Sequence, residues 1–297
     1  MTDSSDLFGD LPAKLAPAPA APAKPVKETP VKAAAATAPA GSDGYSAADI
    51  VVLEGLEPVR MRPGMYIGGT DEKALHHLFA EIIDNSMDEA VAGHATFIDV
   101  EMDADGFVAV TDNGRGMPVD PHPKFKDKSA LEVIMTTLHA GGKFDSKVYE
   151  TSGGLHGVGA SVVNALSESL EVEVARNRKL YRQRFSRGKA LGGIEELGDV
   201  QNRRGTKVRF RPDPQIFGKD AKFDPSRIYR MSRSKAYLFG GVEIRWTCVP
   251  SLLTAKDAPP EKAVFHFPGG LKDYLAAQLG GEFQVTRDMF AGKSEKQ

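Results

Sequence analysis

The stretch DEKALHHLFAEIIDNSMDEAVA, residues 71–92, decides the fold of this chain. Its apolar residues recur at steps of three and four, at Leu75, Leu78, Phe79, Ile82, Ile83, Met87 and Val91. Because an α-helix completes a turn in about 3.6 residues, this spacing places them on one helix face. Gly93 follows as a stop signal. The pattern therefore predicts an amphipathic helix whose apolar face packs on a core.

The other side of this helix is polar. His77, Glu81 and Asn85 recur every four residues, with Asp84 and Asp88 beside them. A solvated helix face explains this pattern on charge alone. A carboxylate that can orient water and an amide oxygen that can join a Mg²⁺ shell nevertheless lie one turn apart, as phosphoryl transfer requires. Both interpretations stay open on these residues alone.

Strand and helix patterns continue after this helix. Alternation over 97–102 and 107–111, around an Ala-Asp-Gly turn, predicts a β-hairpin. Strand patterns follow at 170–175, 180–185 and 206–211, and helical patterns at 129–139 and 160–166. Helices gathered beside mostly antiparallel strands indicate an α+β layer fold.

Composition divides the chain into three expected parts. Residues 11–40 contain 12 Ala and 7 Pro, so we expect residues 1–43 to form a disordered tail, either a spacer or a partner-binding arm. Residues 44–235 are expected to form the main domain. A helical pattern at 226–239 and a strand pattern at 242–246 make residues 236–297 the expected start of an incomplete second domain.

Two glycine-containing motifs lie next to predicted elements. Residues 112–118, DNGRGMP, come directly after the second hairpin strand. Asp112 is either a turn former or a buried carboxylate that accepts a hydrogen bond from an exocyclic amine such as that of adenine. Residues 152–159, SGGLHGVG, precede a helical pattern and could direct N–H groups at an anion, and Gly141-Gly142-Lys143 adds a cation upstream. A flexible connector is the alternative for this loop, which does not match a P-loop.

Composition also excludes several classes of protein. With 38 Lys+Arg and 40 Asp+Glu the net charge is -2, which argues against binding nucleic acid through bulk positive charge. No apolar run approaches the ~20 residues of a membrane span. The single cysteine, Cys248, cannot form an intrachain disulfide. We expect a cytoplasmic protein with no membrane partner.

Together these motifs resemble the successive boxes of the GHKL ATPases. The boxes are EIIDN at 81–85 followed by SMDEA, DNGRGMP at 112–118, GGKF at 141–144, GGLHGVG at 153–159, and Gly205-Thr206. More narrowly, LEPVR at 56–60, RPGMY at 62–66 and LHAGGKF at 138–144 resemble the ATPase subunit of bacterial type IIA DNA topoisomerases. The B subunit of topoisomerase IV is favoured over the B subunit of gyrase. The resemblance covers about residues 45–246 and implies a GHKL (Bergerat) ATPase fold followed by a transducer domain.

The resemblance implies ATP and Mg²⁺ as ligands and a role for each matching residue. Glu81 is implied to be the general base for water attacking the γ-phosphate, oriented by His77, with Asn85 as the protein ligand of Mg²⁺. Asp112, Gly116 and Thr206 match the adenine site, partly through water. The triphosphate cradle and lid match Lys143, Gly154, Leu155, His156, Gly157, Val158 and Gly159. Tyr149 matches a lid tyrosine, and Tyr45 an arm tyrosine that reaches the partner protomer's nucleotide.

For the whole protein, the resemblance implies an ATP-operated clamp. It forms a homodimer on ATP binding, joins the A subunit of topoisomerase IV or of gyrase in a heterotetramer, and acts on duplex DNA through the full complex. A lysine of the transducer domain is implied to complete the nucleotide site, and we expect it to lie beyond Gln297. The alternatives are a histidine kinase, a nucleotide-switched chaperone and a mismatch-repair ATPase.

Overall fold

The computed structural model describes residues 54–140, 157–280, 289–290 and 292. Its centre is a mixed sheet of short and long strands. The strands are β1 Phe97–Met102, β2 Val108–Asp112, β3 Ser167–Arg176, β4 Lys179–Ser186, β5 Lys189–Ala190, β6 Glu195–Asp199, β7 Gly205–Pro212, β8 Glu243–Cys248 and β9 Lys262–Phe265. Their order is β5-β4-β3-β7-β2-β1-β8-β9, with β6 paired to β4.

Antiparallel pairing dominates this sheet. Among the described strands, β1 and β8 form the one parallel pair, with Phe97 opposite Glu243. The hairpin of β1 and β2 aligns Asp99 with Thr111, and β2 continues into β7 with Thr111 opposite Lys207. This last pairing places the ends of β2 and β7 side by side, where the predicted site residues Asp112 and Thr206 lie.

The helices lie against the sheet or at its ends. They are α1 Glu57–Met61, α2 Gly64–Ile67, α3 Glu72–Val91, α4 Ala130–Thr136, α5 Gly159–Ala165, α6 Pro214–Phe217, α7 Pro225–Leu238 and α8 Leu271–Leu279, with a 3₁₀ turn at Pro250–Leu252. Strand residues that face α3, α5 and α7, such as Val110, Val172 and Ile244, are buried in one continuous core. The alternate residues face away from these helices and carry charge, as at Arg209 and Arg245.

Helix α3 confirms the prediction from residues 71–92. Asp71 caps it, because the Asp71 carboxylate accepts a hydrogen bond from Ala74 N at 2.9 Å. The apolar residues expected in the core are buried, except Val91, which is 41% exposed at the last turn. The periodicity therefore gives the correct buried face and fails only where the helix leaves the core.

The other predicted elements are also present. The hairpin, β3, β4, β7, α4, α5, α7 and β8 occur where their patterns indicate them. The expected boundary after residue 235 falls inside α7, and β8 and β9 beyond it belong to the same sheet as β1 and β2. The sheet of the main domain thus extends to Phe265. The tail and Tyr45 lie outside the described residues.

Candidate functional site

The polar stripe of α3 contains a hydrogen-bonded histidine and carboxylate. His77 Nε2 lies 3.1 Å from Glu81 Oε1, and both side chains remain partly exposed. The hydrogen bond to Glu81 raises the pKa of His77 above its ordinary value. One rotamer of Glu81 is therefore favoured, with its carboxylate accessible to solvent. Of the other acids of the stripe, Asp84 forms an ion pair with Lys235 of α7 at 2.5 Å, and Asp88 is buried.

The start of α5 packs directly on this carboxylate. A Cβ atom added at Gly159 would overlap Glu81 Oε2 and lie 3.1 Å from Glu81 Cδ. Glycine at residue 159 therefore permits this close approach, because a larger residue would displace the Glu81 carboxylate from its observed position. The contact brings the end of the glycine-rich loop, which includes Gly157 and Val158, to the polar stripe of α3.

A second polar centre lies at the end of β2. Asp112 is 6% exposed. Asp112 Oδ1 accepts hydrogen bonds from Gly114 N at 2.8 Å and Thr206 N at 3.4 Å, and Oδ2 accepts one from Ser86 Oγ at 3.3 Å. Burial raises the pKa of Asp112 to about 6, and the bonds from Gly114 and Thr206 oppose that rise. The arrangement holds a buried carboxylate that can accept a hydrogen bond from a polar ligand group.

Two glycines allow the chain to close around Asp112. Gly205 has a φ of 108°, and a Cβ there would overlap the Asp112 carbonyl oxygen. Gly116 has a φ of 76°, and a Cβ there would lie 3.0 Å from Val174 Cγ1. Both positions exclude other residues, by conformation and by space. Thr206 Oγ1 completes the closure by accepting a hydrogen bond from Met117 N at 3.1 Å.

Ser86 joins the two polar centres. It follows Asn85 in the same turn of α3 and donates its hydroxyl proton towards Asp112. The helix that carries His77, Glu81 and Asn85 thus also touches the carboxylate at the end of β2. Spacing along α3 gave no sign of this contact, because it depends on how the helix packs across the sheet.

The sequence also did not predict two further contacts of the 112–118 loop. Arg115 pairs with Glu89 on the last turn of α3, with Arg115 Nη2 2.6 Å from Glu89 Oε1. Arg176 Nη1 donates a hydrogen bond to the Gly116 carbonyl at 2.8 Å. An acid and a base separated by 26 residues carry no pairing signal in a single sequence. The loop is therefore tied to α3 on one side and to β3 on the other.

The structure describes only part of the predicted site. It places His77, Glu81 and Asn85 on α3, Gly157, Val158 and Gly159 at the start of α5, and Asp112, Gly116 and Thr206 at the ends of β2 and β7. Lys143, Tyr149, Gly154, Leu155 and His156 lie outside the described residues, as does Tyr45. Among the described members, Gly159 packs on Glu81, and Thr206 N donates a hydrogen bond to Asp112 Oδ1.

A cavity of about 580 Å³ lies at the ends of β1, β2 and β7. Phe97, Asp99 and Thr111 line it, together with residues 201–206, Asp112 and Asn113. Asp99 and Thr111 form a cross-strand pair, and strand alternation places them opposite the core face that holds Val110. The backbone of Asp112, Gly205 and Thr206 therefore separates this outer cavity from the helix side of the sheet.

The geometry agrees with a family model described as histidine kinase-, DNA gyrase B-, and HSP90-like ATPase, which matches residues 70–216. Residues 70–216 form a GHKL ATPase domain. The match runs from the start of α3 to α6 and includes every described member of the predicted site. The expected GHKL fold is confirmed.

Two curated relatives show which GHKL ATPases this chain is similar to. The B subunit of DNA topoisomerase 4 from Bartonella bacilliformis is 65% identical over 252 residues, covering 85% of this chain and 36% of that protein. The B subunit of DNA gyrase from Thermotoga maritima is 52% identical over 231 residues, covering 78% of this chain and 35% of that protein. The chain thus spans little more than a third of either relative.

A solved structure supports the fold of this GHKL ATPase. The crystal structure of the 43K ATPase domain of Thermus thermophilus gyrase B in complex with an aminocoumarin is 42% identical, with a TM-score of 0.65. The similarity covers 78% of this chain and 57% of that one. Within the described residues, no helix has both the length and the apolar character needed to cross a membrane.

Proposed function

We propose that this chain is the ATP-binding and hydrolysing part of the B subunit of a type IIA DNA topoisomerase, with topoisomerase IV favoured. One observation of the structure supports the ATPase role most strongly. A single helix, α3, carries the Glu81 carboxylate against Gly159 and touches the buried Asp112 through Ser86. The proposed base for water on α3 and the proposed acceptor for adenine at the end of β2 are thereby linked through one rigid helix, as positioning in phosphoryl transfer requires.

In this proposal Asp112 recognises the base of ATP. Its carboxylate accepts a hydrogen bond from the adenine amine, while Gly114 N and Thr206 N hold Oδ1 in place. Gly116 lets the loop approach a flat ligand closely, and Thr206 lines the same site. Because Asp112 is buried, a base that presents an acceptor instead of a donor would leave two acceptors facing each other.

Hydrolysis is assigned to the polar stripe of α3. Glu81 accepts a proton from the attacking water, and His77 holds the Glu81 carboxylate through the hydrogen bond at 3.1 Å. The 154–159 loop and the start of α5 are proposed to bind the phosphates, together with Lys143 and Tyr149. Tyr45 reaches the nucleotide of the partner protomer. Gly159 keeps the loop end close enough for the phosphates and Glu81 to meet.

Asn85 is proposed as the protein ligand of Mg²⁺. The donor set fits this ion, because Mg²⁺ commonly takes one or two protein oxygens and completes its shell with phosphate and water. Among the described residues no three His, Cys, Asp or Glu side chains lie together as a metal cage would require. When bound, Mg²⁺ neutralises charge on the phosphates.

The proposal extends to the longer protein of which the relatives are examples. There, ATP binding closes a homodimer, which joins the A subunit of topoisomerase IV in a cytoplasmic heterotetramer that passes duplex DNA. The identity of 65% to the topoisomerase 4 relative, against 52% to the gyrase relative, favours the first over the second. The transducer domain is proposed to begin after β9, beyond the expected boundary at residue 236.

Strand-passage assays test this function. The complete B subunit, reconstituted with ATP and the A subunit of its enzyme, is expected to decatenate linked DNA circles and to relax supercoils. Introduction of negative supercoils into relaxed DNA would assign the chain to gyrase instead. Absence of any ATP-dependent strand passage would overturn the topoisomerase proposal.

A further inference from the structure

Arg204 lies in the loop before β7, on the side of the outer cavity, and reaches across to two other segments. Its Nε donates a hydrogen bond to the Asn113 carbonyl at 2.8 Å, and its Nη2 donates one to the His94 carbonyl at 2.7 Å. The guanidinium thus uses its planar fork on two backbone oxygens. These carbonyls lie 91 and 110 residues away in sequence.

These bonds occur where the strand ladder has ended. The pairing of β2 with β7 ends at Thr111 opposite Lys207, one residue before Asp112. Beyond this pair, the backbone at Gly205 lies close to the backbone of Asp112. Arg204 then donates a hydrogen bond to Asn113, the residue that follows Asp112. The Arg204 side chain therefore supplies a cross-strand bond at the point where the ladder no longer does.

Asn113 is held from its other side as well. Its Oδ1 accepts hydrogen bonds from Thr96 N at 2.8 Å and Phe97 N at 3.1 Å, and its Nδ2 donates to Thr96 Oγ1 at 2.9 Å. The side chain of Asn113 is thus tied to the start of β1, while its carbonyl is tied to Arg204. Asn113 separates Asp112 from Gly114, whose N–H bonds Asp112 Oδ1.

We propose that Arg204 is a positioning residue for adenine recognition, which it serves from the outer face of the sheet by fixing the backbone between Asp112 and Gly114. This inference rests on the proposed function of Asp112. With Arg204 in place, the Gly114 N–H stays on Oδ1 and the carboxylate keeps one orientation towards the base. Without Arg204, the Asn113 carbonyl loses the bond from the guanidinium, and the acceptor loses its alignment.

Arg203 offers a matched control. It is the preceding residue of the same exposed loop and has the same charge, but Arg203 Nη2 pairs with Glu173 on β3 at 2.6 Å. Replacing Arg203 removes a cation beside the outer cavity and leaves the 112–114 backbone contacts intact. Any effect of overall charge on nucleotide binding should therefore be the same for both residues.

Calorimetry on the 297-residue chain, with ATP and ITP as ligands, tests the inference. At pH 8, where the Asp112 carboxyl is charged, ITP presents a carbonyl in place of the adenine amine and gains nothing from an aligned Asp112. Arg204→Ala is expected to raise the Kd for ATP about tenfold, as the loss of one hydrogen bond to a charged group would, while changing the Kd for ITP less than twofold. Arg204→Lys, which can bond one of the two carbonyls, should recover part of the ATP preference. Arg203→Ala should match the wild type.

The outcomes separate the inference from the function on which it rests. If wild-type protein binds ATP and ITP equally, the assignment of Asp112 fails and the inference fails with it. If wild-type protein prefers ATP and Arg204→Ala keeps that preference, the positioning role alone is wrong. Equal weakening of both nucleotides would also contradict the inference, since that is what general loosening of the fold predicts. If Arg204→Ala does not fold, the ATP preference of Arg204→Lys decides between these results.

Discussion

Ser86 Oγ lies 3.3 Å from Asp112 Oδ2, so the helix that carries Glu81 is hydrogen-bonded to the carboxylate at the end of β2. The two groups proposed to act on opposite ends of ATP therefore share one support. A displacement of α3 would move the base for water and the acceptor for adenine together. This shared support explains why both lie on, or directly against, the longest helix of the described chain.

Replacing Glu81 with Gln should separate hydrolysis from binding. An amide cannot accept the proton from water, so hydrolysis should be lost. The proposed adenine site at Asp112 is unchanged, so binding should remain. Loss of a general base lowers the rate by ~10²–10⁴, so we expect Glu81→Gln to lower kcat in this range in the complete subunit while the Kd for ATP stays within threefold. Glu72→Gln, an exposed change at the first turn of the same helix, serves as control. Turnover at the wild-type rate would rule out Glu81 as the base.

Gly159→Ala should impair hydrolysis through a single methyl group. The added Cβ would overlap Glu81 Oε2, so the carboxylate must leave its place beside His77. We expect at least a tenfold loss of ATPase activity, of the size that misplaced catalytic groups cause. Gly193→Ala is the matched control, because a Cβ at residue 193 meets nothing within 4 Å. Equal activity of the two variants would show that the contact with Gly159 does not position Glu81.

The preference for ATP over ITP should depend on pH. Burial raises the pKa of Asp112 to about 6, so the carboxyl is charged at pH 8 and gains a proton as the pH falls through 6. A protonated carboxyl can donate to the carbonyl of ITP and accepts less well from the amine of ATP. We expect the ratio of the Kd for ITP to the Kd for ATP to decrease from pH 8 to pH 5. The ratio cancels titration of the phosphates, and a constant ratio would contradict the role of Asp112.

His76 should make the fold sensitive to acid. It is 1% exposed, and its Nε2 accepts a hydrogen bond from Asp224 N at 2.9 Å, so this nitrogen carries no proton. Burial lowers the pKa of His76 below its ordinary 6.5. Between that lowered pKa and 6.5 the unfolded chain binds more protons than the folded one, so the free energy of unfolding decreases as the pH falls below about 6.5.

Denaturant unfolding of the wild type and His76→Gln at pH 8 and pH 5 measures this effect. The variant has no imidazole to titrate, so its free energy of unfolding should fall less between the two pH values. Other titrating groups are common to both proteins and cancel in the comparison. An equal decrease in the free energy of unfolding of both proteins would show that protonation of His76 does not destabilise the contact between α3 and α7.

Local patterns predicted most of the elements that carry the site. The three- and four-residue spacing of apolar residues predicted α3 and its buried face, and alternation predicted the hairpin that ends at Asp112. Both signals act within one element, where the period of the backbone decides which side chains are buried. The residues of the polar stripe were identified for the same reason.

Contacts between distant segments could not be predicted in this way. The parallel pairing of β8 with β1 joins segments 146 residues apart in the chain, and it places β8 in the same sheet as the hairpin. The hydrogen bond of Ser86 to Asp112, the close approach of Gly159 to Glu81 and the two carbonyl contacts of Arg204 arise from packing. A single sequence shows that these residues are polar or small and does not show their partners.

Asp112 is proposed to bind the adenine of ATP, and a titration of ATP into the 297-residue chain tests this role most directly. In Asp112→Asn the side-chain NH₂ must face either the adenine amine or the Gly114 N–H, so one buried donor is left without an acceptor. Such a group costs about 1–3 kcal/mol, and we predict that the Kd for ATP rises between about fivefold and 150-fold. Asp120→Ala, at an exposed acid of the following loop, should bind like the wild type. Unchanged affinity in a folded Asp112→Asn protein would contradict the claim.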